Sequence, residues 1–113
     1  MSRYFVSVLI LNYNNAQFLE RSIKSCLKQT YKKLEILIYD DKSTDHSLSI
    51  LKKYKSQIKF LINKSNKKGI AAIDAKNGYY RLIQRSKGQI VFLLDSDDYF
   101  KKNKIQEVLK IYK

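Results

Sequence analysis

The chain has 113 residues, enough for one domain with a buried core but short for a complete enzyme of most classes. Its 44% apolar content, with nine Tyr and five Phe, is typical of a folded globular protein and excludes a disordered tail. The single cysteine, Cys26, excludes a disulfide framework and a multi-cysteine metal site, and we expect it in the core.

The formal net charge of +13 is unevenly distributed, with +2 on residues 1–50 and +11 on the remainder. A basic surface attracts nucleic acid, anionic lipid headgroups or phosphorylated substrates, but lysine enrichment of a whole proteome gives the same composition. No apolar run approaches the ~20 residues that cross a bilayer, and the start of the chain lacks the cleavage pattern of a signal peptide. We therefore expect a cytoplasmic protein, free or at the inner face of the membrane.

The hydrophobic pattern of the first half alternates between strand and helix periods. It predicts strands at 6–11, 34–39 and 58–62. Asn14 or Asn15 can cap the first helix, which turns its charged residues outward (Glu20, Arg21, Lys24 and Lys28) and its apolar residues inward (Leu19, Ile23, Cys26 and Leu27). The second helix can be capped by Ser43, Thr44 or Asp45, and its predicted apolar face carries Leu48, Leu51 and Tyr54.

The second half continues the alternation. From Gly69 a third helix is predicted, with an approximate repeat of Ile73, Lys76 or Asn77, Tyr80 and Ile83. We expect it to end near Gly88, as a C-cap glycine. The fourth strand is predicted at 90–94, and the last helix carries Ile105, Val108, Leu109 and Tyr112 on one face.

Four strand–helix alternations predict a single α/β domain over residues 1–113, a three-layer α/β/α sandwich with a mainly parallel, Rossmann-like sheet. Right-handed crossovers place the carboxyl ends of all strands at one edge, where ligands bind in such sheets. The segments at that edge are 12–15, 40–45, 63–69 and 95–99. Two of them are acidic clusters in a basic chain.

The fourth strand is followed by Asp95, Ser96, Asp97 and Asp98. In an extended segment Asp95 and Asp97 would project to the same side. Two carboxylates ~4 Å apart repel by about 4 kcal/mol at an effective dielectric of 20. Protonation, neighbouring lysines or a hard divalent cation such as Mg²⁺ or Mn²⁺ can relieve that repulsion. The alternative is that Asp97 or Asp98 only caps the last helix.

The other polar loops leave more alternatives open. Asp40 and Asp41 can bind a base or ribose, or can serve the turn in which they lie. Tyr13 can stack on a base, and Lys76 can face a diphosphate or remain solvated. His46 is expected at the surface.

Two segments together resemble family 2 glycosyltransferases, and they cover most of the chain. The first, VSVLILNYNNAQFLERSIKSCLKQTYKKLEILIYDDKSTDHS, resembles the N-terminal stretch of that family, with its Gln-Thr-Tyr-like motif and a strand ending in Asp-Asp-x-Ser-x-Asp. The second, GQIVFLLDSDDYF, resembles the family's Gly-x-x-(apolar)-Asp-x-Asp segment. The resemblance implies the nucleotide-binding half of a GT-A fold, of the nucleotide-diphospho-sugar transferase type.

The same resemblance implies roles at matching positions. Leu11 (through its backbone) and Tyr13 would line the nucleobase site, and Asp41 would accept a hydrogen bond from the pyrimidine. Asp95 would lie near the ribose and the metal, with Ser96 also in the nucleotide site, and Asp97 would bind the metal. Lys76 would face the diphosphate.

The implied reaction is transfer of a sugar from a nucleotide-diphospho-sugar, most often a UDP-sugar, to an acceptor glycan or glycolipid, with Mn²⁺ or Mg²⁺ as cofactor. In this family an inverting mechanism is usual, and the carboxylate base that deprotonates the acceptor lies in a second half, expected beyond Lys113. No catalytic base is therefore predicted within the chain. An anionic membrane surface and a second copy of the chain, paired at an open sheet edge, are further candidate partners.

Two rival functions agree less well with the residues. A basic α/β module that binds nucleic acid would explain the charge, but no recognition helix or aromatic-and-basic RNA-binding strand is present. A phospho-receiver domain also uses an acidic cluster on a parallel sheet, but it needs acidic residues after the first strand. Here Asn12, Tyr13 and Asn14 occupy that position.

Overall fold

The computed structural model describes residues 3–63 and 71–112, and the side chains of residues 71–76 fall outside this description. Strands and helices alternate in the predicted order: β1 Val6–Asn12, α1 Ala16–Leu27, β2 Leu34–Asp40, α2 Ser47–Lys53, β3 Lys59–Ile62, α3 Ala71–Arg85, β4 Ile90–Asp95 and α4 Lys104–Leu109.

The four strands form one sheet in the order β3-β2-β1-β4, with every pairing parallel. β1 is central and nearly continuously buried, which explains its uniformly apolar sequence. Leu11 on β1 stands beside Tyr39 on β2 and Asp95 on β4. This register brings the loops after β1, β2 and β4 to the same edge of the sheet.

Helices cover both faces of the sheet. One face packs against α1, α2 and α4, through a core that includes Leu19, Ile23, Leu51, Ile105 and Leu109. The other face packs against α3, where Leu82 meets Leu9, Leu37 and Tyr39. The α/β class, the three layers and the parallel sheet are therefore confirmed.

The predicted apolar face is wrong in part for α2 and wrong for the described side chains of α3. In α2, Leu48 is 37% exposed, and Ile50 is buried in its place beside Leu51 and Tyr54. In α3, Tyr80 and Ile83 point outward, and the buried face carries Gly78 and Leu82. The apolar pattern of the sequence does not reveal this face, because Gly78 has no side chain to contribute to it.

Gly78 is buried because α3 lies very close to the sheet. A Cβ at this position would stand 2.6 Å from Tyr39 Cδ1 and 2.8 Å from Leu11 Cδ2. The missing side chain thus lets α3 approach two residues at the carboxyl ends of β1 and β2.

Gly88 is not the C-cap of α3, which ends at Arg85. The φ angle of Gly88 is not positive, so the left-handed conformation is not what requires glycine. A Cβ here would stand 2.5 Å from the backbone nitrogen of Ser7, whose hydroxyl accepts a hydrogen bond from Gly88 N at 2.8 Å. Close approach to β1 is the physical reason for this glycine.

The helix caps differ in part from the prediction. Asn15 holds the N-cap position of α1, but its side chain does not cap the helix. Asp45 caps instead, since its carboxylate accepts hydrogen bonds from Ala16 N and from Ser47 N, both at 2.9 Å. Of the three candidates for the cap of α2 (Ser43, Thr44 and Asp45), Asp45 supplies the hydrogen bond, although His46 holds the N-cap position.

The helices of residues 3–63 and 71–112 include none with the length and apolarity of a membrane span.

Candidate functional site

Three polar loops meet at the carboxyl edge of the sheet: the first loop (12–15), the second loop (40–45) and the acidic loop (95–99). Hydrogen bonds connect the first loop to each of the others, from Asn12 Nδ2 to Asp40 Oδ1 at 2.7 Å and from Asn15 Nδ2 to Ser96 Oγ at 3.0 Å. Of the fourth predicted segment only Asn63 is described, and its amide donates to Asp41 Oδ1 at 2.8 Å. The predicted convergence is confirmed for these residues.

Asp40 has a structural role in this arrangement. It is buried, and its carboxylate accepts three hydrogen bonds, from Asn12 Nδ2, Ser43 N and Ser43 Oγ. A carboxylate with this many donors has little capacity left for a ligand. The sequence left the roles of the two aspartates open, and the structure assigns the turn to Asp40.

Two residues of these loops adopt left-handed backbone conformations, Asn14 with φ 51° and Lys42 with φ 56°. Asn14 uses its conformation to join the loops, because its Oδ1 accepts hydrogen bonds from Thr44 N at 2.7 Å and from Asp45 N at 3.3 Å. The first and second loops therefore behave as one hydrogen-bonded unit.

Asp41 and Tyr13 lie at the open side of this unit. The backbone N–H of Asp41 donates to Asn12 O at 2.9 Å, while its half-buried carboxylate accepts from Asn63. Tyr13 is 56% exposed and can offer its ring to a flat ligand. Leu11 lies just beneath, and its carbonyl accepts a hydrogen bond from Ser96 N at 3.1 Å.

The acidic loop is a turn, so the expectation that Asp95 and Asp97 continue in an extended segment is wrong. β4 ends at Asp95, and Asp98 N donates to Asp95 O at 2.9 Å, which closes the turn. The alternative that Asp97 or Asp98 caps the last helix is also wrong, because α4 begins only at Lys104. The hydrogen bond between Asp98 N and Asp95 O stabilises a turn in place of the extended conformation.

The two aspartates have different surroundings. Asp95 is exposed on the side that faces α3, and Tyr79 Oη donates to its carboxylate over a long 3.4 Å. Burial, and then the negative charge of Asp95, raise the pKa of Tyr79 to about 12, so the phenol keeps its proton. The carboxylate of Asp97 has no hydrogen-bond or ion-pair partner among residues 3–63 and 71–112.

The donor chemistry of Asp95 and Asp97, two exposed carboxylates, suits a hard divalent cation. Mg²⁺ and Mn²⁺ take carboxylate oxygens and commonly use one or two protein carboxylates together with substrate phosphates and water. The described part of the chain has no group of three or more acidic, imidazole or thiol side chains that could enclose a metal. Asp95 and Asp97 would therefore hold a cation only in company with an anionic ligand.

Ser96 is the buried residue of the acidic loop. Its hydroxyl accepts from Asn15 and its N–H donates to Leu11, so it ties the acidic loop to the first loop. Its predicted contact with the nucleotide stays a prediction. Lys76 belongs to α3, but its side chain lies outside the described residues, and its role also stays a prediction.

Sequence reasoning missed two residues of this site. Tyr79 would have been found with the correct phase of α3, since it lies between Gly78 and Leu82 on the side of the sheet. Arg21 was expected only to face solvent, yet its Nη2 donates to Asp97 O at 3.0 Å. No sequence pattern signals a contact across 76 residues.

The remaining reactive side chains are outside the site. Cys26 is buried in the core, as expected, and burial raises the pKa of its thiol to about 12, so it is not a nucleophile. His46 is exposed, also as expected.

Comparison with known proteins identifies the family. Residues 7–113 match the family model described as "Glycosyl transferase family 2". The chain belongs to this family. The resemblance seen in the sequence and the GT-A type of the fold are confirmed.

Relatives of this family 2 chain include two bacterial enzymes. It is 36% identical over 107 residues to the poly(ribitol-phosphate) β-N-acetylglucosaminyltransferase TarP of Staphylococcus aureus, an alignment that covers 91% of the chain and 31% of TarP. It is 38% identical over 100 residues to the UDP-Glc:α-D-GlcNAc-diphosphoundecaprenol β-1,3-glucosyltransferase WfaP of Escherichia coli, covering 88% of the chain and 38% of WfaP. The chain thus spans about a third of the length of the curated relatives it matches.

Among solved structures, the family 2 chain is similar to residues 1–349 of S. aureus TarS in complex with UDP. The TM-score is 0.78 and the identity 28%, over 93% of the chain and 31% of TarS 1–349. TarS has also been solved with UDP-GlcNAc.

Proposed function

We propose that this family 2 chain supplies donor and metal binding for transfer of a sugar from a nucleotide-diphospho-sugar to an acceptor glycan or glycolipid in cell-surface polysaccharide synthesis. The observation that carries the proposal is the meeting of Asp41, Asp95 and Asp97 on hydrogen-bonded loops at one sheet edge. The names of TarP and WfaP support the class of acceptor.

The nucleotide we propose is UDP. Support comes from TarS, whose structure was solved with UDP and with UDP-GlcNAc. The TarS chain in the UDP complex is 28% identical to this chain. Asp41 would accept from the pyrimidine, Tyr13 would stack on it, and the Leu11 backbone would border it. Lys76 would face the diphosphate. Ser96 would act mainly by fixing the loop under the nucleotide, because its hydroxyl is already bonded to Asn15.

Asp97 and Asp95 would hold Mn²⁺ or Mg²⁺ together with the diphosphate. When bound, the cation would neutralise the charge that develops on the departing nucleoside diphosphate. Asp97 is the better first ligand, since its carboxylate is exposed and has no partner in the described residues. Tyr79, which keeps its proton, would restrict the orientation of Asp95.

The acceptor site and the general base would be contributed by residues outside 1–113. The relatives support this division, because the chain aligns with 31% of TarP and 38% of WfaP. Nucleotide binding with little or no sugar transfer is the behaviour expected of these 113 residues alone. A cytoplasmic location at the inner face of the membrane, with contact to anionic lipid, belongs to the same proposal, since the net charge is +13.

The test is calorimetric titration of the protein with UDP and GDP, with and without Mn²⁺. We expect UDP binding that Mn²⁺ strengthens and that Asp97→Asn returns to the metal-free level. Asp98→Asn is the matched control, because it removes the same charge from the next residue. Equal effects of the two substitutions would show that general electrostatic attraction, and not a metal site at Asp97, explains the effect of Mn²⁺.

A second candidate function, binding of nucleic acid, is favoured by the charge of +13 alone. Contact with a phosphate backbone weakens steeply as salt is raised. Filter binding with RNA and DNA over a salt series measures this directly. Tight, steeply salt-dependent binding without any UDP binding would favour the second function.

A further inference from the structure

The side chain of Arg21 spans from α1 to the acidic loop. Its Nη2 donates a hydrogen bond to the backbone oxygen of Asp97 at 3.0 Å. Its guanidinium carbon lies 4.6 Å from the ring centroid of Tyr99 and 5.3 Å from that of Phe18. One side chain therefore contacts the loop at two residues while it rests on its own helix.

We propose that Arg21 is a positioning residue for Asp97: it fixes the backbone of the acidic loop so that the Asp97 carboxylate stays free to bind a cation. This inference rests on the proposed function. A planar guanidinium suits the task, because it can donate in its plane and stack on an aromatic ring at the same time.

The choice of acceptor atom supports this role. An arginine paired with the Asp97 carboxylate would compete with a metal for the same oxygens. Arg21 bonds the carbonyl oxygen instead, and no ion pair within 4 Å joins its guanidinium to a carboxylate in the described residues. The loop is thus held through its backbone, and its negative charge is left available.

The contact belongs to a series of hydrogen bonds that join α1 and the residues just after it to the chain after β4. Ser25 Oγ accepts from Phe100 N at 3.1 Å, and Gln29 Nε2 donates to Lys101 O at 2.7 Å. Thr30 N donates to Lys102 O at 2.8 Å. The later contacts fix the segment that leads to α4, whereas Arg21 alone in this series acts on an aspartate of the acidic loop.

The test compares Arg21→Met, Arg21→Lys and the control Lys24→Met in titrations with UDP, with and without Mn²⁺. Lys24 is an exposed cation one turn along the same helix, so its substitution removes an equal charge. We expect Arg21→Met to weaken Mn²⁺-dependent binding about tenfold, as loss of one hydrogen bond from a charged donor predicts. Metal-free UDP binding should not change, and Lys24→Met should behave as the wild type in both titrations.

Arg21→Lys separates positioning from attraction of the anionic ligand. Lysine keeps the charge but lacks the planar fork, so it should restore less than half of the loss. Full rescue by lysine, or an equal loss in Lys24→Met, would overturn the inference.

Amide hydrogen exchange of residues 97–100 gives a readout that needs no ligand. Arg21→Met should accelerate exchange there and leave β1 unchanged. Unaltered exchange would overturn the positioning role alone. A wild type without Mn²⁺-dependent UDP binding would overturn the proposed function, whatever the exchange experiment gives.

Discussion

The carboxylate of Asp45 accepts a hydrogen bond from the backbone N–H of Ala16, 29 residues earlier in the chain, at 2.9 Å. Its other oxygen accepts from Ser47 N at 2.9 Å. One side chain thus caps both α1 and α2, and so fixes the beginnings of the helices that follow the first and second loops. The geometry of the first and second loops depends on this shared cap.

Replacement of Asp45 by Ala should therefore lower the free energy of unfolding by about 1–2 kcal/mol, which is more than the loss of one ordinary cap. Chemical denaturation measures the loss. Asp98→Ala is the control, since within the described residues the Asp98 carboxylate accepts only from the neighbouring Tyr99 N and caps no helix. Similar losses in the two variants would show that the double cap contributes nothing of its own.

Glu35 should make stability depend on pH. Burial by itself would raise its pKa, but hydrogen bonds from Lys87 N, Ser7 Oγ and Lys59 Nζ outweigh burial and lower the pKa below its ordinary value. A lowered folded-state pKa gives stability that is present above the unfolded pKa, about 4.3, and is lost as pH falls through the folded value.

Glu35→Gln should accordingly destabilise the protein by about 1–3 kcal/mol at pH 7 and flatten the fall in stability below about pH 4. Thermal unfolding across a pH series tests both effects. Glu107→Gln serves as the comparison, because that side chain is exposed and, in the part of the chain that the structure describes, forms only a local ion pair with Lys110. An acid profile unchanged by Glu35→Gln would contradict the assignment.

Gly78→Ala should destabilise the protein by about 1–3 kcal/mol, although alanine favours a helix over glycine by roughly 0.5–1 kcal/mol. The added methyl would stand 2.6 Å from Tyr39 Cδ1, so α3 must move away from the sheet. Urea unfolding checks the sign. Gln84→Ala, at an exposed position of α3, should be neutral within about 0.5 kcal/mol. Stabilisation by Gly78→Ala would mean that α3 packs less closely than described.

Self-association should proceed through β4. This strand ends the sheet of the described residues, and it leaves Val91 39% and Leu93 54% exposed. Open edges and exposed apolar side chains favour association. Light scattering should show concentration-dependent dimers that Leu93→Lys disrupts, whereas Leu48→Lys on α2 should have little effect. A monomer at all concentrations would contradict this expectation.

Much of the site could be predicted from the sequence. Asp40 and Asp41 stand at the carboxyl end of β2, and Asp95–Asp98 stand at the carboxyl end of β4. Parallel strands bring these ends together at one edge of the sheet. Which aspartate of the first pair serves the turn could not be predicted, because Asp40 is committed by Asn12, 28 residues away. Nor could the contact of Arg21 be predicted, because its partner Asp97 lies 76 residues away.

The sequence by itself determined the order of strands and helices, the layered α/β class and the family, because those depend on local periodicity and on short motifs. Only the tertiary structure decided the phase of α3, the purpose of Gly78 and Gly88, and the turn at Asp95–Asp98. The physical reason is the range of the interactions. A strand depends on the pattern of adjacent residues. The space around Gly78 and Gly88, and the carbonyl oxygen that Arg21 binds, depend on segments far away in the chain.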